Sequence, residues 1–143
     1  MLEEQTRPHG DLDIVVQEKD VHKLRELLMA KGYKEITGDD AKAWNFVLSD
    51  ARGHEIDVHV ISIDKNGDGV YGPKENDEIY PASSLAGHGV IGGKSVRCIS
   101  PEDMIKFHSG YQLDENDYHD VKLLCEKFNI SLPPEYERFE QRS

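Results

Sequence analysis

The chain has 143 residues, 37% of them hydrophobic, which fits one domain of ordinary size with a real core. Its formal charge is -11, from 28 acidic and 17 basic residues, so most of its surface repels nucleic acid and anionic membranes and a neutral or cationic small molecule is the better match. No apolar run approaches the roughly 20 residues of a membrane span, and the opening MLEEQTRPHG is too acidic and polar for a signal peptide, so a soluble cytoplasmic protein is expected.

Asp11 to Val16 reads as a short strand that follows a Pro8 turn and Gly10. Asp20 then offers a helix N-cap, Val21, Leu24, Leu27 and Leu28 recur at helical spacing, and Gly32 is the stop, which predicts a helix over about Val21 to Lys31. AWNFVL (43–48) and HEIDVHVISI (54–63) are rich in β-formers and separated by SDARG with turn residues Asp50 and Gly53, so they predict an antiparallel hairpin. In its second strand Ile56, Val58 and Val60 alternate against Asp57, His59 and Ile61, which turns Asp57 away from the apolar face.

The stretch from Asp64 to Leu85 is Gly-, Asp-, Asn- and Pro-rich and reads as a long loop with one short strand near Ile79. Val90 to Val96 is a second hairpin around Gly92 and Gly93. Ser100, Pro101 and Asp103 open a helix to about Ser109, and a last helix runs from about Glu115 to Phe128 with Val121, Leu124, Cys125 and Phe128 on one face. The Pro133-Pro134 pair is expected to stop anything further. The order is α+β, read as one domain over residues 1–143 with a sheet-containing core over 1–98 and C-terminal helices over 99–143.

Asp11 and Asp13 share one side of their strand, about 6.6 Å apart along it. Two carboxylates at that reach suit a hard divalent ion such as Mg²⁺, with Asp57 on the later strand as the natural third ligand. The pattern alone leaves a second reading open, a turn acid beside a solvent-facing one. Cys98 and Cys125 lie in an expected strand and an expected helix and read as two buried thiols. The histidines form neither HxxxH nor HExxH, which argues against a zinc enzyme. Asp64 to Glu75 (DKNGDG and onward) matches a calcium-loop pattern without its flanking helices, so a polar turn is the reading taken there.

TRPHGDLDIVV, then a helix, GHEIDVHVI, the DKNGDGVYG loop, GGKSVRCISPEDMIKFHSGY and DENDYHDVKLLCEKF occur in order over about Gln5 to Phe128. In these blocks the chain resembles the lincosamide and aminoglycoside nucleotidyltransferases of the polymerase-β-like superfamily. The resemblance implies a nucleotidyltransferase-like mixed β-sheet with helices packed on it, here lacking the first strand and glycine turn that normally precede the Asp-x-Asp strand. It implies Mg²⁺-dependent transfer of a nucleoside monophosphate from a nucleoside triphosphate such as ATP to a hydroxyl of a small, antibiotic-like molecule.

Carried over residue by residue, Asp11 and Asp13 match the paired metal-binding aspartates, and Asp57 matches the third carboxylate, a metal ligand and general base. Arg7 and His9 are candidates to touch phosphate or substrate, with plain surface groups as the other reading, and Lys106, His108 and Tyr111 are candidate acceptor contacts, or a surface lysine and two half-buried rings. The missing strand would bare a sheet edge, from which a homodimer is expected. An inactive homologue that binds a small ligand or a protein is the alternative function, and an unrelated metal-dependent phosphodiesterase a third.

Overall fold

The computed structural model describes residues 5–36, 42–73, 75 and 78–140. The expectation of an absent first strand and glycine turn concerns the chain ahead of Gln5, outside those residues. The architecture is mixed α+β, in two compact units: Pro8–Ala82, and Met1–Arg7 with Ser83–Ser143.

In the first unit, strand β1 (Asp11–Gln17) leads through a 3-10 turn into helix α1 (Val21–Ala30). Asp20 precedes α1 but makes no side-chain cap bond, because the 3-10 turn already delivers the chain in helical geometry. Gly32, at φ 91°, ends α1 as expected. Strands β2 (Lys34–Ile36), β3 (Asn45–Ser49), β4 (Glu55–Ile63), β5 (Gly69–Tyr71) and β6 (Ile79–Tyr80) complete the sheet. The sheet runs β2-β3-β4-β5-β6, all antiparallel, while β1 pairs with β4 in parallel.

The hairpin expected around SDARG is β3-β4: Asp50 accepts from the backbone N–H groups of Arg52 and His54, and Gly53 sits at φ 83°. The buried face of the sheet carries Phe46, Leu48, Ile56, Val58 and Val60, with Ile14 and Val16 of β1 and Val21, Leu24 and Leu28 of α1 packed on it. Alternation along β4 therefore divides the strand as its sequence implies, with the apolar set in the core and Asp57 and His59 on the other side.

The stretch after β4 holds more strand than the sequence suggests. Only Ile79–Tyr80 falls where a strand was expected; β5 forms as well, paired between β4 and β6, and Gly69 there lies close against Ile61 and Tyr80 and leaves no room for a larger residue. At the head of the stretch Asp64 accepts from the backbone N–H groups of Asn66 and Asp68, and Asp68 accepts from that of Ala82. The calcium-like pattern thus opens as a self-satisfied polar turn following a strand; its residue 74 lies outside the described residues.

In the second unit, β7 (Gly87–Ile91) and β8 (Lys94–Cys98) form the Gly92-Gly93 hairpin. Helix α2 (Pro101–Phe107) starts where Ser100 accepts from the Asp103 N–H at 3.2 Å with proline in the first turn. Helix α3 (Glu115–Phe128) opens on a full capping box between Asp114 and Asp117.

The chain does not stop at Pro133-Pro134. A 3-10 turn (Pro134–Tyr136) and a short helix, α4 (Glu137–Glu140), follow, because proline is well placed where a helical turn begins and has no N–H to satisfy. Both elements supply core: Tyr136 and Phe139 are buried with Ile105, Tyr118, Val121, Leu124 and Cys125, and Phe139 stacks on Tyr118 at 5.5 Å. Cys98 and Cys125 are free thiols, Cys125 buried. Among the described residues no helix is long and apolar enough to cross a membrane.

Candidate metal centre

Parallel pairing of β1 with β4 sets Asp11 opposite Glu55, Asp13 opposite Asp57 and Val15 opposite His59. The register that buries Ile14 and Val58 on one face therefore lines the other with four carboxylates and an imidazole. Asp11 and Asp13 are exposed, so the apolar tail of their strand imposes no burial cost on them.

Within this row Asp13, Asp57 and His59 come together: one ligand atom from each lies within 4.8 Å of the others. Asp11, one step toward the strand start, stands outside that triplet. Two opposed carboxylates and an imidazole nitrogen are a donor set that fits a divalent cation. Like charges directly opposite in a sheet repel, and a cation between them removes that cost.

Neighbouring elements fix the triplet. Asn45, at the start of β3, donates from Nδ2 to Oδ1 of Asp57 at 2.7 Å, leaving Oδ2 toward His59. The imidazole of His59 is held by two tyrosines: Tyr71 stacks on it at 5.1 Å with 20° between planes, and the Tyr80 hydroxyl meets Nδ1 at 2.9 Å with its ring edge-on. Burial first, then the nearby Tyr71, Asp13 and Asp57 charges, push the Tyr80 phenol up to about 12, so it stays a neutral hydroxyl. Burial and Asp57 also raise Tyr71.

Pattern reading missed Asn45, His59, Tyr71 and Tyr80. His59 had a signal, since it sits two residues from Asp57 in the same alternating set. The two tyrosines had none, because Tyr71 reaches His59 through the pairing of β5 with β4 and Tyr80 through the pairing of β6 with β5, neither of which any period announces.

The remaining sequence candidates are placed as follows. His9 is exposed just ahead of β1. Arg7 belongs to the second unit, where its guanidinium bonds both carboxylate oxygens of Asp120 on α3, with Nε 3.0 Å from each. In the same unit Lys106 reaches Asp103 at 3.2 Å, and the His108 ring donates from Nδ1 to the Met104 carbonyl at 2.9 Å. His108 is half-buried, whereas Tyr111 is exposed overall and donates to Asp117 at 2.7 Å; partial desolvation of its hydroxyl first, and then that bond, raise its pKa.

The chain is 27% identical over 121 residues to a lincosamide resistance protein of Staphylococcus haemolyticus, an overlap of 84% of this chain and 73% of that one. Among solved structures, the lincosamide antibiotic adenylyltransferase LnuA with lincomycin bound is 25% identical and superposes with a TM-score of 0.71 over 91% of this chain and 79% of its own. The antibiotic-resistance factor ANT(2'')-Ia shares the fold at 19% identity, with a TM-score of 0.62 over 96% of this chain and 74% of its own. A profile for aminoglycoside-2''-adenylyltransferases matches residues 1–124, and with the antiparallel sheet and its parallel β1 in place, the chain belongs to that family of antibiotic nucleotidyltransferases.

Proposed function

We propose that the protein is a Mg²⁺-dependent nucleotidyltransferase that moves a nucleoside monophosphate, from ATP in the first instance, to a hydroxyl of a small antibiotic-like molecule. The observation that carries this reading is the opposition of Asp13 and Asp57 across parallel strands in a chain of the antibiotic adenylyltransferase family.

Asp13 and Asp57 would hold the ion, with Asp11 at the head of the same strand as a further carboxylate toward it or toward a second ion. When bound, it supplies charge neutralisation at the α-phosphate and eases the departure of pyrophosphate. Asp57 acts on the acceptor: it takes the hydroxyl proton as the oxygen forms its bond to the α-phosphorus and the bond to pyrophosphate breaks. The Asn45 bond to Oδ1 holds the Asp57 carboxylate in one orientation, so Oδ2 is the basic atom presented. The edge of β1, with Leu12 57% exposed, is where a second copy would pair in a homodimer.

Incubation with α-labelled ATP and a panel of lincosamides and aminoglycosides tests the reading. Label on a drug, with pyrophosphate released and both lost in Asp57→Asn, is the expected result. Drug binding with no transfer from any nucleoside triphosphate would overturn it in favour of a binding protein.

A further inference from the structure

We propose that His59 is a nitrogen ligand of the proposed metal site, which raises the site's affinity for transition-metal ions that accept imidazole, Mn²⁺ among them, relative to Mg²⁺. The inference rests on the nucleotidyltransferase reading for the presence of a metal and on this chain's geometry for the ligand.

Three observations carry it. The His59 ring is locked, with Tyr71 stacked on its face and the Tyr80 hydroxyl on Nδ1. That leaves Nε2 as the nitrogen facing the carboxylates, 3.5 Å from Oδ2 of Asp57, longer than a good hydrogen bond. The same ring joins Asp13 and Asp57 in the 4.8 Å triplet.

A ligating histidine commonly donates its other ring N–H to an oxygen that fixes tautomer and orientation. The Tyr80 hydroxyl occupies that place, 2.9 Å from Nδ1; in the ligating tautomer it accepts from Nδ1–H and leaves the Nε2 lone pair toward the ion. Tyr80 is thus a positioning residue. An imidazole adds more affinity for Mn²⁺ than for Mg²⁺, which takes oxygen ligands and keeps its waters.

The test loads the full chain with Mn²⁺ and records its pulsed EPR spectrum. Modulation from a directly bound ¹⁴N is expected in the wild type and absent in His59→Gln. Titration should show Mn²⁺ affinity falling about tenfold or more in His59→Gln while Mg²⁺ affinity, read by competition, changes less than about threefold. Tyr80→Phe should keep the nitrogen signal and weaken Mn²⁺ several-fold.

Mn²⁺ binding that depends on Asp13 but shows no ¹⁴N modulation would overturn the ligand role of His59 and leave the nucleotidyltransferase reading standing. No binding of either ion, with ATP present, would remove both. The wild-type spectrum decides without any variant, so a misfolded substitution cannot protect the proposal.

Discussion

Asp13 and Asp57 face one another across the only parallel strand pair among the described residues. In the absence of a cation this pairing costs stability, and Mg²⁺ should relieve it. Thermal melting with Mg²⁺ at a hundredfold its dissociation constant should show stabilisation of about 2.7 kcal/mol. Asp13→Asn should abolish the shift, and an equal shift in that variant would sink the site.

Asp57→Asn separates chemistry from architecture. The new carboxamide keeps an oxygen to accept from Asn45, so the fold should hold, while the proton acceptor is lost. Turnover should fall about 10²- to 10⁴-fold with circular dichroism unchanged. Asn45→Ala, which frees the carboxylate without removing it, should cost distinctly less.

Arg7 and Asp120 form a fork-like charge pair, their side chains 31% and 15% exposed. Breaking it leaves a part-buried carboxylate without its partner, so Arg7→Ala should destabilise by about 1–2 kcal/mol, discounted for solvent screening. Urea titration of the two single variants and the double variant would measure the coupling. Additive single effects would show that the pair contributes nothing.

Two glycines should respond oppositely to alanine. A Cβ on Gly87 would fall 2.6 Å from the Cys98 carbonyl oxygen and 2.9 Å from backbone atoms of Ile99, so Gly87→Ala must move backbone and should cost about 1–3 kcal/mol. Gly10, next to Asp11, has nothing within 4 Å, and Gly10→Ala should leave both stability and turnover near wild type. Loss of activity in Gly10→Ala would mean that close backbone approach matters at the head of β1.

Acid stability should depend on Asp50. Bonds from the His54 ring and backbone N–H, with another from Arg52, lower its folded pKa to about 2 against an ordinary carboxylate value near 4. The ionised form favours the folded state, so this contribution is present above about pH 4 and is lost as pH falls toward 2. Asp50→Asn should flatten stability across that window, and an unchanged acid limb would show that the turn does not report on folding.

Much of this was readable from residue order alone. β1, α1, the β3-β4 hairpin, the Gly92-Gly93 hairpin, α2 and α3 each carry a period or a cap that local physics enforces. The elements that escaped are short: β2 has three exposed residues, β5 is Gly-Val-Tyr in a glycine-rich stretch, and α4 has four residues behind a proline pair. None spans enough residues to show a period, and each forms because a partner strand or a core vacancy recruits it.

The site divides the same way. Alternation put Asp11 with Asp13 and turned Asp57 outward, but the register that opposes Asp13 to Asp57 joins segments more than forty residues apart. That register, with the two tyrosines clasping His59, is tertiary information.

The one-for-one alignment of β1 with β4 also makes the strand self-checking. A slip by a single residue would drive Asp11 and Asp13 into the apolar layer under α1 and turn Leu12 and Ile14 out toward His59. Correct packing and a competent ligand row are therefore the same event, so a chain that folds at all presents its carboxylates correctly.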